Sequence, residues 1–158
     1  MNKIRLLAVA ASAAAIFAIP AAAQNINGNP NYGTVNLRTG FTPDPRVVPV
    51  VSGGNIDASR IRGDCRGFIS SSPDVRLVFN TRGNLPLIIS VASGADTTLV
   101  VNGPDGRFLC DDDGGVNGLN PSIRIDRPRS GRYEIWVGSY RAGSNDRARL
   151  NISEVRSQ

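Results

Sequence analysis

The sequence predicts an all-β chain, an antiparallel β-sandwich of about eight strands in two sheets. Three observations carry that prediction. The chain breaks into short β-branched and apolar runs of strand length. Its 158 residues include 17 Gly and 10 Pro, which punctuate those runs with turn signals. No stretch between them keeps a helical period. Apolar residues at 41% and charged residues at 20% are ordinary values for one globular domain.

Residues 1–23 read as a signal peptide. Lys3 and Arg5 give a positive start, residues 6–19 an uncharged apolar run, and Pro20 leads into Ala21-Ala22-Ala23, small residues where a signal peptidase cuts. An uncleaved anchor is the alternative, since residues 6–23 just reach spanning length. Cleavage after Ala23 is the expectation, giving a periplasmic or secreted protein with no membrane span, taken as a monomer. Losing Lys3 and Arg5 lowers the formal charge of +5 by two and leaves Arg as the sole cation type.

Residues 24–45, rich in Asn, Gly and Pro with Tyr32, Val35, Leu37 and Phe41 as large apolar groups, read as an extended arm lying on a core. The sandwich domain, residues 46–158, then offers strands at 46–52, 75–80, 85–92, 97–102, 107–111, 122–126, 132–140 and 148–155. Gly53-Gly54, Arg82-Gly83-Asn84, Asn102-Gly103-Pro104-Asp105-Gly106 and Ser130-Gly131 supply the turns. Alternation in 132–140 puts Tyr133, Ile135 and Val137 on one face, and Glu134, Trp136 and Gly138 on the other. Residues 85–92 are almost continuously apolar, as in a strand covered on both sides.

Cys65 and Cys110 are the two cysteines. An even count in an exported chain predicts one disulfide, and a ring of that size is worth about 4 kcal/mol of chain entropy. They lack the C-x-x-C spacing of a redox pair.

The chain has no His, and its one Lys lies in the leader, so histidine triads and lysine-activated nucleophiles are absent. Glu134 and Glu154 are the two glutamates, and nothing selects a hydrolytic pair among the carboxylates. No enzyme is expected. The arginines are spread from Arg38 to Arg156 without interleaved aromatics, which argues against nucleic acid. The densest group, Arg124, Arg127, Arg129 and Arg132, reads as a solvated turn, with an anion-binding patch as the alternative.

The run from Cys110 to Pro121 places Asp111, Asp112 and Asp113 before a Gly/Asn loop holding Asn117 and Asn120. Calcium takes six to eight oxygen ligands, and carboxylates, amide oxygens and loop carbonyls supply them. Asp96 opens a strand that can pair beside this loop. The spacing is not that of an EF-hand: with Asp111 at the first position, Val116 falls where Gly is required and Ser122 where Glu is required. Turn capping through Asx hydrogen bonds explains the same residues without an ion. Trp136 could serve as a stacking platform for a sugar, but such a residue is more often packed core or covered by the arm, and it is not taken as a binding residue.

Residues 95–153 resemble the bacterial pre-peptidase C-terminal domain family. The likeness rests on Asp96-Thr97-Thr98-Leu99-Val100-Val101, Pro104-Asp105-Gly106, Cys110-Asp111-Asp112-Asp113, Asn120-Pro121-Ser122-Ile123, and the run Gly131-Arg132-Tyr133-Glu134-Ile135-Trp136-Val137. Upstream, Phe41-Thr42-Pro43-Asp44-Pro45 and Cys65-Arg66-Gly67 are similar to a stand-alone exported group of small proteins. The resemblance implies a jelly-roll-like sandwich and a non-catalytic accessory module, and its acidic positions fall on Asp96, Asp111 and Asp112. Asp113, Asn117 and Asn120 join them as calcium ligands from ligand chemistry alone. The expected function is an exported binding or structural module that contacts a protein or glycan. The alternative is an accessory protein modulating a separately encoded peptidase or other hydrolase.

Overall fold

The computed structural model describes residues 24–158, and the leader read over 1–23 lies outside the described residues. The described strands are β1 (Thr34–Arg38), β2 (Arg46–Val51), β3 (Ile56–Asp57), β4 (Phe68–Ile69), β5 (Val75–Asn80), β6 (Leu87–Ser93), β7 (Thr97–Asn102), β8 (Phe108–Asp111), β9 (Ser122–Ile125), β10 (Gly131–Ser139) and β11 (Arg147–Ser153), with one 3-10 turn at Ala58–Arg60. They form two sheets of seven and four strands. The fold is all-β and sandwich-like, with open sheet edges.

In the larger sheet β10 is the axis. β5 pairs with its first half, over Gly131 to Ile135, and β7 with Glu134 to Ser139. β1 lies beyond β5 and β8 beyond β7, while β4 and β3 continue from Ser139. The smaller sheet runs β2-β11-β6-β9.

All eight predicted runs are strands, and 75–80 and 97–102 coincide with β5 and β7 end to end. Three further strands bring the number to eleven among the described residues. β1 arises inside the stretch read as an arm: Thr34, Asn36 and Arg38 face out while Val35 and Leu37 pack on the core. Gly33 and Gly40, with φ of 87° and 77°, turn the chain at either side of it. β1 also departs from the all-antiparallel expectation, since it pairs with β5 in parallel. The long connection through β2, β3 and β4 makes that direction possible, because parallel neighbours need a crossover rather than a hairpin.

The main core lies between the sheets. Tyr133, Ile135 and Val137 of β10 meet Leu77, Phe79 and Leu99 from their own sheet and Leu87, Ile89, Leu150 and Ile152 from the other. The opposite face of β10 carries a second core: Trp136 is fully buried with Val100, Ile56, Ala58, Cys65 and Ile69. The Cys65–Cys110 disulfide, with Cα atoms 5.2 Å apart, pins that covering layer to β8. Trp136 is therefore covered chiefly by the segment around Cys65, with Ile26 of the N-terminal stretch at its margin. Gly138 lets the layer close, since a Cβ there would sit 2.8 Å from the Phe68 carbonyl oxygen and strike Thr98 Oγ1.

Candidate functional site

The acidic loop is largely occupied with its own folding. Asp111 Oδ2 accepts hydrogen bonds from the Gly114 and Ser122 amides, each at 2.8 Å. Buried Asn120 accepts from the Ser93 amide at 2.6 Å and donates to the Ala95 and Leu119 carbonyls at 2.8 and 2.7 Å. These are Asx-type bonds that fix the turn into β9. The Asn117 carbonyl accepts from the Asn120 amide at 2.8 Å. Asp112 is half-buried and Asp113 exposed. Partial burial, then the charges of Asp113 and Asp112, hold the Asp96 carboxyl above its ordinary value, with Arg141 opposing. Among the described residues no group of three or more His, Cys, Asp or Glu side chains is placed to hold a metal ion. The loop brings Asp96, Asp112 and Asp113 within reach of one another's charge and spends Asp111 and Asn120 on the backbone.

Other carboxylates are likewise committed. Glu134, buried on β10 opposite Arg76, accepts from Arg76 Nε at 2.6 Å and pairs with Arg132 Nε at 2.9 Å. Arg76 reaches on to the Gly28 carbonyl, and Arg132 to Asn27 Oδ1. Glu154 accepts from the Gly40 amide at 2.7 Å. Asp74 accepts from the Val137 amide at 2.7 Å and from Asn31 Nδ2 at 3.0 Å. Burial pushes its pKa up to about 6 in spite of those bonds. Through Asn27, Gly28 and Asn31 the same carboxylate network ties residues 24–33 to β5 and β10.

A wide groove lies elsewhere, on the outer face of the four-stranded sheet. Strand alternation points Val48, Val50, Ala148, Leu150 and Val91 inward and leaves Pro49, Val51, Arg147, Arg149 and Ala92 outward. Register sets these side by side: Arg149 stands between Pro49 of β2 and Ala92 of β6, and Arg147 opposite Val51. The other half of this face is covered by the C-terminal tail. The Gln158 amide donates to Ser90 Oγ at 3.1 Å, and the Val155 and Arg156 amides donate to Ser153 Oγ. Ile88, Ser90, Asn151 and Ser153 are consequently buried. The uncovered half is a groove of about 630 Å³, walled by Tyr32 on one side and Asn117 on another.

Two features define what this groove can bind. Its floor is apolar, and Val51 and Tyr32 are 42% and 39% exposed, so a partner would remove apolar surface from water. Arg147 and Arg149 are exposed and have no carboxylate within ion-pair distance among the described residues. The β2 edge beside it is closed to strand addition: Pro49 has no N–H, and the Val51 amide donates to the Tyr32 hydroxyl at 2.9 Å. A molecule seated in the groove would meet side chains rather than a free strand edge.

Sequence reasoning placed its candidates on the acidic loop and missed this groove, except for Asn117, which lines it. The available signals were Pro49 inside a strand-like run and the Arg147-Ala148-Arg149-Leu150 alternation. Neither indicates which strands become neighbours.

No family model matches the chain, and no curated protein matches it. Among solved structures, the chain is similar to PliG of Aeromonas hydrophila, a periplasmic inhibitor of g-type lysozyme. That likeness has 12% identity and a TM-score of 0.42 and covers 76% of this chain and 96% of that one.

Proposed function

We propose that the chain is an exported, non-catalytic binding module that holds a protein partner in the groove on the outer face of the four-stranded sheet. The observation that carries this is the pairing of an exposed apolar floor with two arginines that have no carboxylate partner among the described residues. Such a surface suits a protein segment that presents a carboxylate beside an apolar side chain. A glycan is less well served, because Trp136 and Tyr133 are buried, leaving Tyr32 as the aromatic at the groove. The engagement of Asp74, Asp111, Glu134 and Glu154 in fold-holding bonds supports the non-catalytic part. The accessory role implied by the pre-peptidase C-terminal resemblance belongs to the same reading.

A photo-crosslinking residue at Val51, with a second at exposed Arg60 as a control, tests this in the producing cell. The expected result is one discrete protein adduct from Val51, none from Arg60, and loss of the adduct when Arg147→Glu and Arg149→Glu are added. Absence of an adduct, or an adduct indifferent to charge reversal, would contradict the proposal.

Calcium is a second part of the proposal: Asp96, Asp112 and Asp113, which as placed form no three-carboxylate cluster, would have to draw together around the ion. The buried Asp96 Oδ1, without a hydrogen-bond partner among the described residues, favours it. Calcium should then raise the melting temperature of the wild type and leave Asp112→Asn plus Asp113→Asn unmoved. An equal response from both proteins, or none from either, removes calcium from the account.

A further inference from the structure

The four arginines grouped from β9 through the following turn into β10 do not share one fate. Arg124 pairs with Asp126 at 2.7 Å, and Arg132 pairs with Glu134 at 2.9 Å. Arg127 and Arg129 have no carboxylate within ion-pair distance among the described residues. Both line a separate cavity of about 200 Å³ together with Arg107 from the loop between β7 and β8. Leu109 of β8 and Ile125 of β9 give this cavity apolar walls, and each packs against the main core. The cavity therefore sits at the seam where the two sheets meet, at one mouth of the sandwich.

Asp105 is the one acid in its lining, set against three guanidinium groups. Its Oδ1 accepts from the Arg107 amide at 3.1 Å, and its Oδ2 lies 3.8 Å from Arg107 Nε. Two cations are left over. One of them springs from a fixed point: the buried Tyr133 hydroxyl donates to the Arg129 carbonyl at 2.8 Å and accepts from the Arg129 amide at 3.0 Å. That pair of bonds holds the main chain from which the Arg129 side chain extends.

We propose that this seam cavity is a second binding site, distinct from the groove, for a compact organic anion with a carboxylate or phosphate head and an apolar body. Guanidinium groups recognise both heads through paired N–H donors. The three arginines are exposed, so Leu109 and Ile125 contribute apolar contact for the body of the ligand while the arginines hold its charged head. The volume suits a small ring or short chain rather than a polymer. The site does not depend on the protein-binding reading, and each can fail alone.

Titration of the purified protein with phenyl phosphate, benzoate, inorganic phosphate and benzyl alcohol, followed by nuclear magnetic resonance, tests it. Phenyl phosphate and benzoate should shift the Nε–H signals of Arg107, Arg127 and Arg129 and the methyl signals of Leu109 and Ile125, all saturably. The ion-paired Arg124 and Arg132 serve as internal controls and should stay put, and benzyl alcohol should do nothing. Arg127→Ala plus Arg129→Ala, both at exposed positions, should weaken phenyl phosphate about tenfold or more, while leaving groove crosslinking at Val51 intact. No saturable shift, or an unchanged affinity in the double variant, overturns the site. Inorganic phosphate binding as tightly as phenyl phosphate without methyl shifts overturns the apolar part of the ligand.

Discussion

Asp74 shows how one buried carboxyl fastens separate parts of the chain and sets a pH dependence. It receives the Val137 amide from β10 and the Asn31 side chain from the N-terminal stretch, yet burial outweighs these bonds and raises its pKa to about 6. The unfolded chain titrates near the ordinary 3.8. Between these values the folded state holds a proton that the unfolded state has lost, so stability falls as pH rises through about 6. The contribution is fully present below about pH 4 and amounts to about 3 kcal/mol. Urea unfolding from pH 4 to pH 7 should show this slope in the wild type and lack it in Asp74→Asn, whose amide oxygen still accepts from Val137. Equal slopes in the two proteins would contradict the assignment. At this scale the disulfide was legible from an even cysteine count, whereas Asp111 and Asn120, offered both as calcium ligands and as turn caps, make turn-capping bonds. The sequence was silent on Asp74, whose environment is assembled from residues 31, 70 and 137.

The segment from β3 to β4 is the element whose role was hardest to read. β3 and β4 have two residues each, too short for any alternation to register. Together with the disulfide they form the lid on Trp136, and the covering side chains Ile56, Ala58 and Ile69 are scattered over a turn-rich stretch. The alternation within β10 was fully legible, since it separates the two cores correctly. What lies over the outer face could not be inferred from it. Closing a loop with a sequence separation of 45 makes the disulfide worth about 4 kcal/mol in the chain-entropy model. Cys65→Ala plus Cys110→Ala should lower unfolding stability by about that amount, and the Trp136 emission should move to the red as its cover loosens. An unaltered emission spectrum would mean that packing alone holds the lid. β1 is the complementary case: Thr34 to Arg38 alternates as a strand should, but its setting among Asn, Gly and Pro masked the pattern.

Across the whole molecule, the parts form layers: the four-stranded sheet, the main core, the seven-stranded sheet, the second core and its disulfide lid. The lid closes the outside of the seven-stranded sheet around Trp136, leaving the β1 and β5 side of that face open, and the C-terminal tail closes half the outside of the other sheet. The groove is the half left open, and it exists because strands distant in sequence, β2, β6 and β11, come together there. That long-range assembly is why the fold class was readable from periodicity while the groove was not. Four of the arginines without a carboxylate partner among the described residues stand two by two at openings, Arg147 with Arg149 in the groove and Arg127 with Arg129 at the seam. The most direct test of the groove is the affinity of the partner trapped through Val51, measured for the wild type and for Arg147→Glu plus Arg149→Glu over a range of salt. The account predicts tight binding to the wild type that weakens with salt, and a loss of about tenfold or more on charge reversal with the fold intact. Equal affinities for the two proteins at low salt would contradict it.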